Sequence, residues 1–89
     1  MMVTTVTPVN PLERWGETPA NGLYYTVLNR ADKAQELTVT VDKKKLPQIS
    51  GATVEELVDG TEVTVTENAD SLIIKLIVEA GRTQLLQIK

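Results

Sequence analysis

The stretch GLYYTVLNRADKAQELTVTVD, residues 22–42, carries the reading of the fold. Leu23, Tyr25 and Val27 alternate with Tyr24 and Thr26; after a polar interval, Leu37, Val39 and Val41 alternate with Glu36, Thr38, Thr40 and Asp42. Side chains along a strand point to opposite faces in turn, so each run has one dry face and one wet face. The interval from Asn29 to Gln35 reads as the turn of an opening hairpin.

The same pattern recurs downstream. Val63 and Val65 alternate within TEVTVTE. In SLIIKLIVEAG, residues 71–81, Leu72, Ile74, Leu76 and Val78 share one face, while Ile73, Lys75 and Ile77 share the other. That second face is also mostly apolar, which marks an interior strand or one covered on both sides. TQLLQIK ends the sequence with Leu86 and Ile88 on one face. Turn signals fall between these runs: Asp59-Gly60, which suits a type I′ turn, then Asn68-Ala69-Asp70, then Glu79 to Arg82. ATVEELV resembles one helical turn, but its β-branched start and the following Asp-Gly favour a strand.

These signals predict an all-β fold, a small antiparallel β-sandwich of six to eight strands, as one domain over residues 1–89. The expected core is Leu23, Tyr25, Val27, Leu37, Val39, Val41, Val54, Leu57, Val63, Val65, Leu72, Ile74, Leu76, Leu86 and Ile88. Residues 1–21 differ from the strand-rich part, 22–89. Pro8, Pro11, Gly16 and Pro19 punctuate residues 7–21, with Gly22 just after them, and the segment reads as an ordered loop anchored by Trp15. Pro47 marks a second irregular connection, 43–51.

Composition bounds the function. A chain of 89 residues buries only about 60–65% of its unfolded surface, enough for one two-layer core but not for a large enclosed pocket. The net charge of −3 and pI near 4.8 argue against nucleic acid, whose phosphates demand concentrated positive charge. The basic run Lys43-Lys44-Lys45 reads as a solvated turn. No apolar run is long enough to span a membrane, and the first residues lack the pattern of a signal peptide.

A search for chemistry finds mostly absences. The sequence contains no histidine and no cysteine, which removes Ser-His-Asp and Cys-His systems, disulfides, thiolate metal sites and the commonest metal ligand. Glycoside hydrolysis needs two carboxylates facing each other across a cleft. Glu55 and Glu56 are adjacent, so in a strand they point to opposite faces and form no such pair. Asp59 with Glu62, and Glu67 with Asp70, lack the spacing of a calcium loop. No catalytic residue, cofactor or metal site is therefore expected.

The aromatic residues leave two readings open. Trp15 and Tyr24 are candidates to stack on a sugar ring, with Tyr25 expected inward. The favoured alternative is that Trp15 plugs one end of the sandwich or packs on a neighbouring domain, with Leu12 beside it. Trp15, Leu12 and Tyr24 are thus the candidate interdomain or ligand contacts.

LYYTVLNRADKAQELTVTVD, followed by VEELVDGTEVTVTENADSLIIKLIVEAGRTQLLQIK, resembles the C-terminal β-sandwich domain that trails the catalytic barrel of many bacterial glycoside hydrolases. In those domains an early strand ends in Asn, a polar turn and an alternating strand follow, and a segment v-x-E-L-x-x-G-x-x-V comes next. Here Val54, Glu56, Leu57, Gly60 and Val63 occupy those positions. The final hairpin differs, with Glu79-Ala80-Gly81 in place of a proline-containing turn. The resemblance covers residues 22–89 and implies an immunoglobulin-like, glycosidase C-terminal type of sandwich. It implies a non-catalytic accessory domain of carbohydrate metabolism that packs against a catalytic domain of the same polypeptide, stabilises it and sometimes shapes weak homo-oligomers. The alternative is an independent carbohydrate-binding or immunoglobulin-like interaction module.

Overall fold

Alternation decides which side of each strand is dry, and hydrogen-bond pairing decides which strands share a sheet. The computed structural model describes residues 4–8, 10–16, 19–44, 49 and 51–89. Eight strands lie among them: β1 (Thr4–Thr7), β2 (Leu12–Gly16), β3 (Leu23–Leu28), β4 (Gln35–Asp42), β5 (Val54–Glu56), β6 (Thr64–Glu67), β7 (Ser71–Val78) and β8 (Thr83–Ile88). A 3₁₀ turn, Pro19–Asn21, precedes β3, and the described residues contain no α-helix. Every pairing is antiparallel. The first sheet has the order β1-β4-β7-β6 and the second β2-β3-β8-β5.

The fold is all-β and sandwich-like, as the alternation predicts. β3 buries Leu23, Tyr25 and Val27; β4 buries Leu37, Val39 and Val41; β7 buries Leu72, Ile74, Leu76 and Val78; β8 buries Leu86 and Ile88. Val6 and Ile49 complete this core, with Leu12, Ala52, Val54 and Val63 packed against its margin. β7 is an interior strand, as its two apolar faces suggest, yet Ile77 on its outer face is 57% exposed.

Three expectations are corrected. Gly22–Asp42 is not a hairpin: β3 lies in the second sheet and β4 in the first, so Asn29 to Gln35 arches from one sheet to the other. Alternation fixes only that both runs have a dry face. Two such faces pack against each other as well across a core as side by side in one sheet. The same holds for Asp59-Gly60, which joins β5 in the second sheet to β6 in the first. Gly60 alone has a positive φ there, 68°, so the turn is not type I′. Glu79 to Arg82 likewise crosses between sheets. Among the described strands, only β2–β3 and β6–β7 are sequential strands paired as hairpins, the latter through the expected Asn68-Ala69-Asp70.

The second correction concerns the N-terminal part. Instead of a loop over 7–21, β1 and β2 form one edge strand of each sheet. Prolines are tolerated beside edge strands, where no ladder bond is lost, and here Pro8 and Pro11 flank the crossing from β1 to β2. Third, Leu57 and Val65 are not core residues. Leu57 is 41% exposed because its neighbour Glu56 takes the inward position. Val65 faces inward opposite Ile74, but β6 is a short edge strand whose four residues are all exposed. Lys45 and Pro47 lie outside the described residues.

The crossings are held by buried polar side chains. Asn29, at the end of β3, is fully buried. Its Nδ2 donates to the carbonyls of Val78 (2.8 Å) and Lys33 (2.9 Å), and its Oδ1 accepts from the Ala31 amide. Its backbone carbonyl takes the Gly81 amide and its own amide reaches the Arg82 carbonyl, so one residue ties two crossings together. Loops that leave the ladder carry unpaired backbone groups, and an interior position demands that each be satisfied. Asn supplies both donors and an acceptor in one short side chain.

Candidate interaction surface

The register assigns the outer face of the second sheet. Trp15, Tyr24, Gln87 and Glu55 form one cross-strand row on it. Glu13, Thr26 and Leu85 form the next. The Leu57 amide donates to the Leu85 carbonyl at 2.8 Å, which carries this second row onto Leu57. Leu28 and Thr83 follow as a facing pair. Trp15 is 52% exposed, while Tyr24, Leu28 and Leu85 are half-buried. The face therefore presents two aromatics and three leucines to the outside.

Trp15 is consequently no plug. Its position on an outward face of an edge strand leaves half the indole bare, and its Nε1–H donates to Thr26 Oγ1 at 3.3 Å. Tyr24 stands beside it, and its hydroxyl accepts from Gln87 Nε2 at 3.4 Å. Leu12 is separated from this pair: it faces the other way and packs on the core margin. It still lines, from the side, a cleft of about 180 Å³ with Pro11, Glu13, Thr26, Leu28 and Thr83. Neither the cleft nor its carboxylate is among the residues the sequence singles out, because β2 is read there as loop.

The outer face of the first sheet is richer in threonine, and its apolar members are Ile73 and the exposed Ile77, which pairs with Glu36. Thr5, Thr40, Ile73 and Thr66 form one row across it, and Thr7, Thr38, Lys75 and Thr64 the next. Threonine is at home on a wet strand face, where its β-branch suits the pleat and its hydroxyl meets water.

The edge of the apolar face is shaped by Glu56. Alternation puts it inward with Val54, and only 2% of it is exposed. Burial alone would push its carboxyl up. Backbone amides of Val58, Asp59, Thr61 and Leu85 all donate to it, at 2.8, 2.8, 3.1 and 3.2 Å, and together they hold it below the usual carboxylate range. This clamp folds the crossing after β5 and leaves Leu57 and Val58 outside. Asp59 in that crossing accepts from Arg82 Nη2 (2.8 Å) and Gln84 Nε2 (3.0 Å). Gln84 is itself buried, and its Oε1 has no partner among the described residues.

Among the described residues no group of three or more acidic, histidine or cysteine side chains converges, and no helix is long and apolar enough to cross a membrane. The four carboxylates weighed for calcium include three with cations beside them: Asp59 with Arg82, Glu67 with Lys43 (2.7 Å), and Asp70 with Lys44 (3.6 Å). Comparison with protein-family models, curated proteins and solved structures returned no match.

Proposed function

We propose that this chain is a non-catalytic accessory domain of a carbohydrate-active hydrolase, and that the outer face of its second sheet packs against a catalytic domain. The observation that carries the reading is the contrast between the two outer faces. One is mostly threonine, with Ile73 and the exposed Ile77 among polar neighbours; the other groups exposed Trp15 and Leu57 with half-buried Tyr24, Leu28 and Leu85. Scattered apolar residues are ordinary on a surface, but a contiguous patch with a polar rim marks an interaction site. Glu13, Glu55, Gln87 and Thr83 supply that rim. Interfaces between domains of one chain typically bury about 600–1,500 Å², within reach of one such sheet face.

The carbohydrate-binding alternative draws on one feature, the adjacent Trp15 and Tyr24 with the Gln87 amide within reach of the tyrosine hydroxyl. Aromatic platforms beside amide donors suit pyranose rings. Tryptophan fluorescence separates the two readings. The chain is titrated with a panel of oligosaccharides, and separately with glycoside hydrolase barrels from which their own β-sandwich domain has been removed. The docking reading expects no sugar response, together with a blue shift and a raised Tm when a matching barrel binds. A saturable, sugar-specific change that Trp15→Ala abolishes would sink it.

A further inference from the structure

The cleft beside Trp15 says what chemistry the partner brings, an inference that rests on the docking reading above. Its volume, about 180 Å³, is below the roughly 300–1,000 Å³ of sites that enclose a small-molecule ligand. It suits one long side chain. Pro11, Leu12 and Leu28 supply its apolar lining, Thr26 and Thr83 two hydroxyls, and Glu13 a carboxylate. On this outer face Glu55 already binds Lys89 at 3.0 Å, whereas Glu13 has neither an ion pair nor a hydrogen bond of its side chain among the described residues. An apolar slot with an uncompensated carboxylate is complementary to an amphipathic cation.

We propose that the cleft receives an arginine side chain of the docking partner, its methylene stem against Leu12 and Leu28 and its guanidinium on Glu13. Arginine fits better than lysine. Its planar fork engages a carboxylate through two donors, and it is more weakly hydrated, so less is lost on leaving water. Long cationic side chains also lay their stems on apolar surface while the head stays polar. Glu13 thereby fixes the orientation of a partner that the apolar patch would hold in several ways, because opposite charges across an interface set its register.

The test uses capped arginine, N-acetyl-arginine methylamide, titrated into the whole chain and followed by amide NMR shifts. Capped citrulline is the uncharged control of the same shape. Saturable shifts confined to Glu13, Thr26, Leu28 and Thr83 are expected for arginine. They should weaken about two- to fivefold in Glu13→Gln and fall with added salt in the wild-type chain. The salt series keeps the proposal testable should the variant misfold. Equal binding of citrulline, shifts centred elsewhere, or no shifts would overturn it. Docking onto a barrel that is lost in Trp15→Arg yet indifferent to Glu13→Gln would defeat the arginine site and spare the docking face. Arginine binding without any barrel partner would do the reverse.

Discussion

At the scale of single residues, Glu56 and Asn29 test how far a buried polar group organises the chain around it. Four amides donate to the Glu56 carboxylate, and a charged acceptor is worth roughly twice a neutral one. Glu56→Gln keeps the shape but turns one acceptor into a donor that faces amide hydrogens. Unfolding in urea should show a loss of about 2–4 kcal/mol. The pH dependence has a definite sign. The folded carboxyl lies below its unfolded value of about 4.3, so its contribution is complete above that pH and is lost as the pH falls through the folded value. Wild-type stability should therefore decline in acid below about pH 4.3, and the decline should flatten in the Gln variant. An unchanged acid limb would mean that other carboxylates control it. Asn29→Asp is the complementary change. It removes two donors from the carbonyls of Val78 and Lys33 and places a buried charge against them, which should cost about 3–5 kcal/mol near neutral pH. A variant of near wild-type stability would show that the two crossings do not depend on this side chain.

At the scale of elements, the sequence discloses strands far better than their partners. The inward faces of β3, β4, β7 and β8 follow from period two alone, since a one-residue slip would expose every one of them. Ile74 and Val39 face each other across β4 and β7. Replacing either with Ala should lower stability by about 1–4 kcal/mol through the cavity left behind. What stays hidden is whether a polar interval folds back within a sheet or arches across the core. Nothing local separates the two for Asn29 to Gln35. The deciding contacts are non-local: Asn29 with Val78 and Gly81, Glu56 with Leu85, Asp59 with Arg82. Val54-x-Glu56 did carry a signal, because a carboxylate placed on the dry face by alternation has to find donors. β2 was illegible for a different reason. Its burial is slight and prolines precede and follow it, so it shows little hydrophobic period. Gly16 ends this strand with a φ of 88°, and a Cβ there would fall on the Gly22 carbonyl oxygen. Gly16→Ala should thus cost at least about 2 kcal/mol, mostly by opening the β2–β3 hairpin. Its amides should then lose hydrogen-exchange protection before those of β7.

At the scale of the whole molecule, the apolar face makes a claim about the isolated chain. With no partner bound, Trp15 is half in water, so its emission should be red-shifted, contrary to what a buried plug would give. The same face should let two copies meet weakly. A stable complex commonly buries about 1,200–2,000 Å² in total, and one small flat sheet face approaches the lower end only when fully covered. Ordering Trp15 and the leucines opposes that gain. Self-association in the roughly high-micromolar to millimolar range is the expected balance, and sedimentation equilibrium over a concentration series measures it. Trp15→Arg or Leu85→Lys should remove it, while Thr40→Arg on the opposite sheet should leave it intact. Tryptophan emission should shift to the blue as dimer forms, because the indole is at the contact. Association that survives both changes on the apolar face but yields to Thr40→Arg would place the interacting surface on the threonine side.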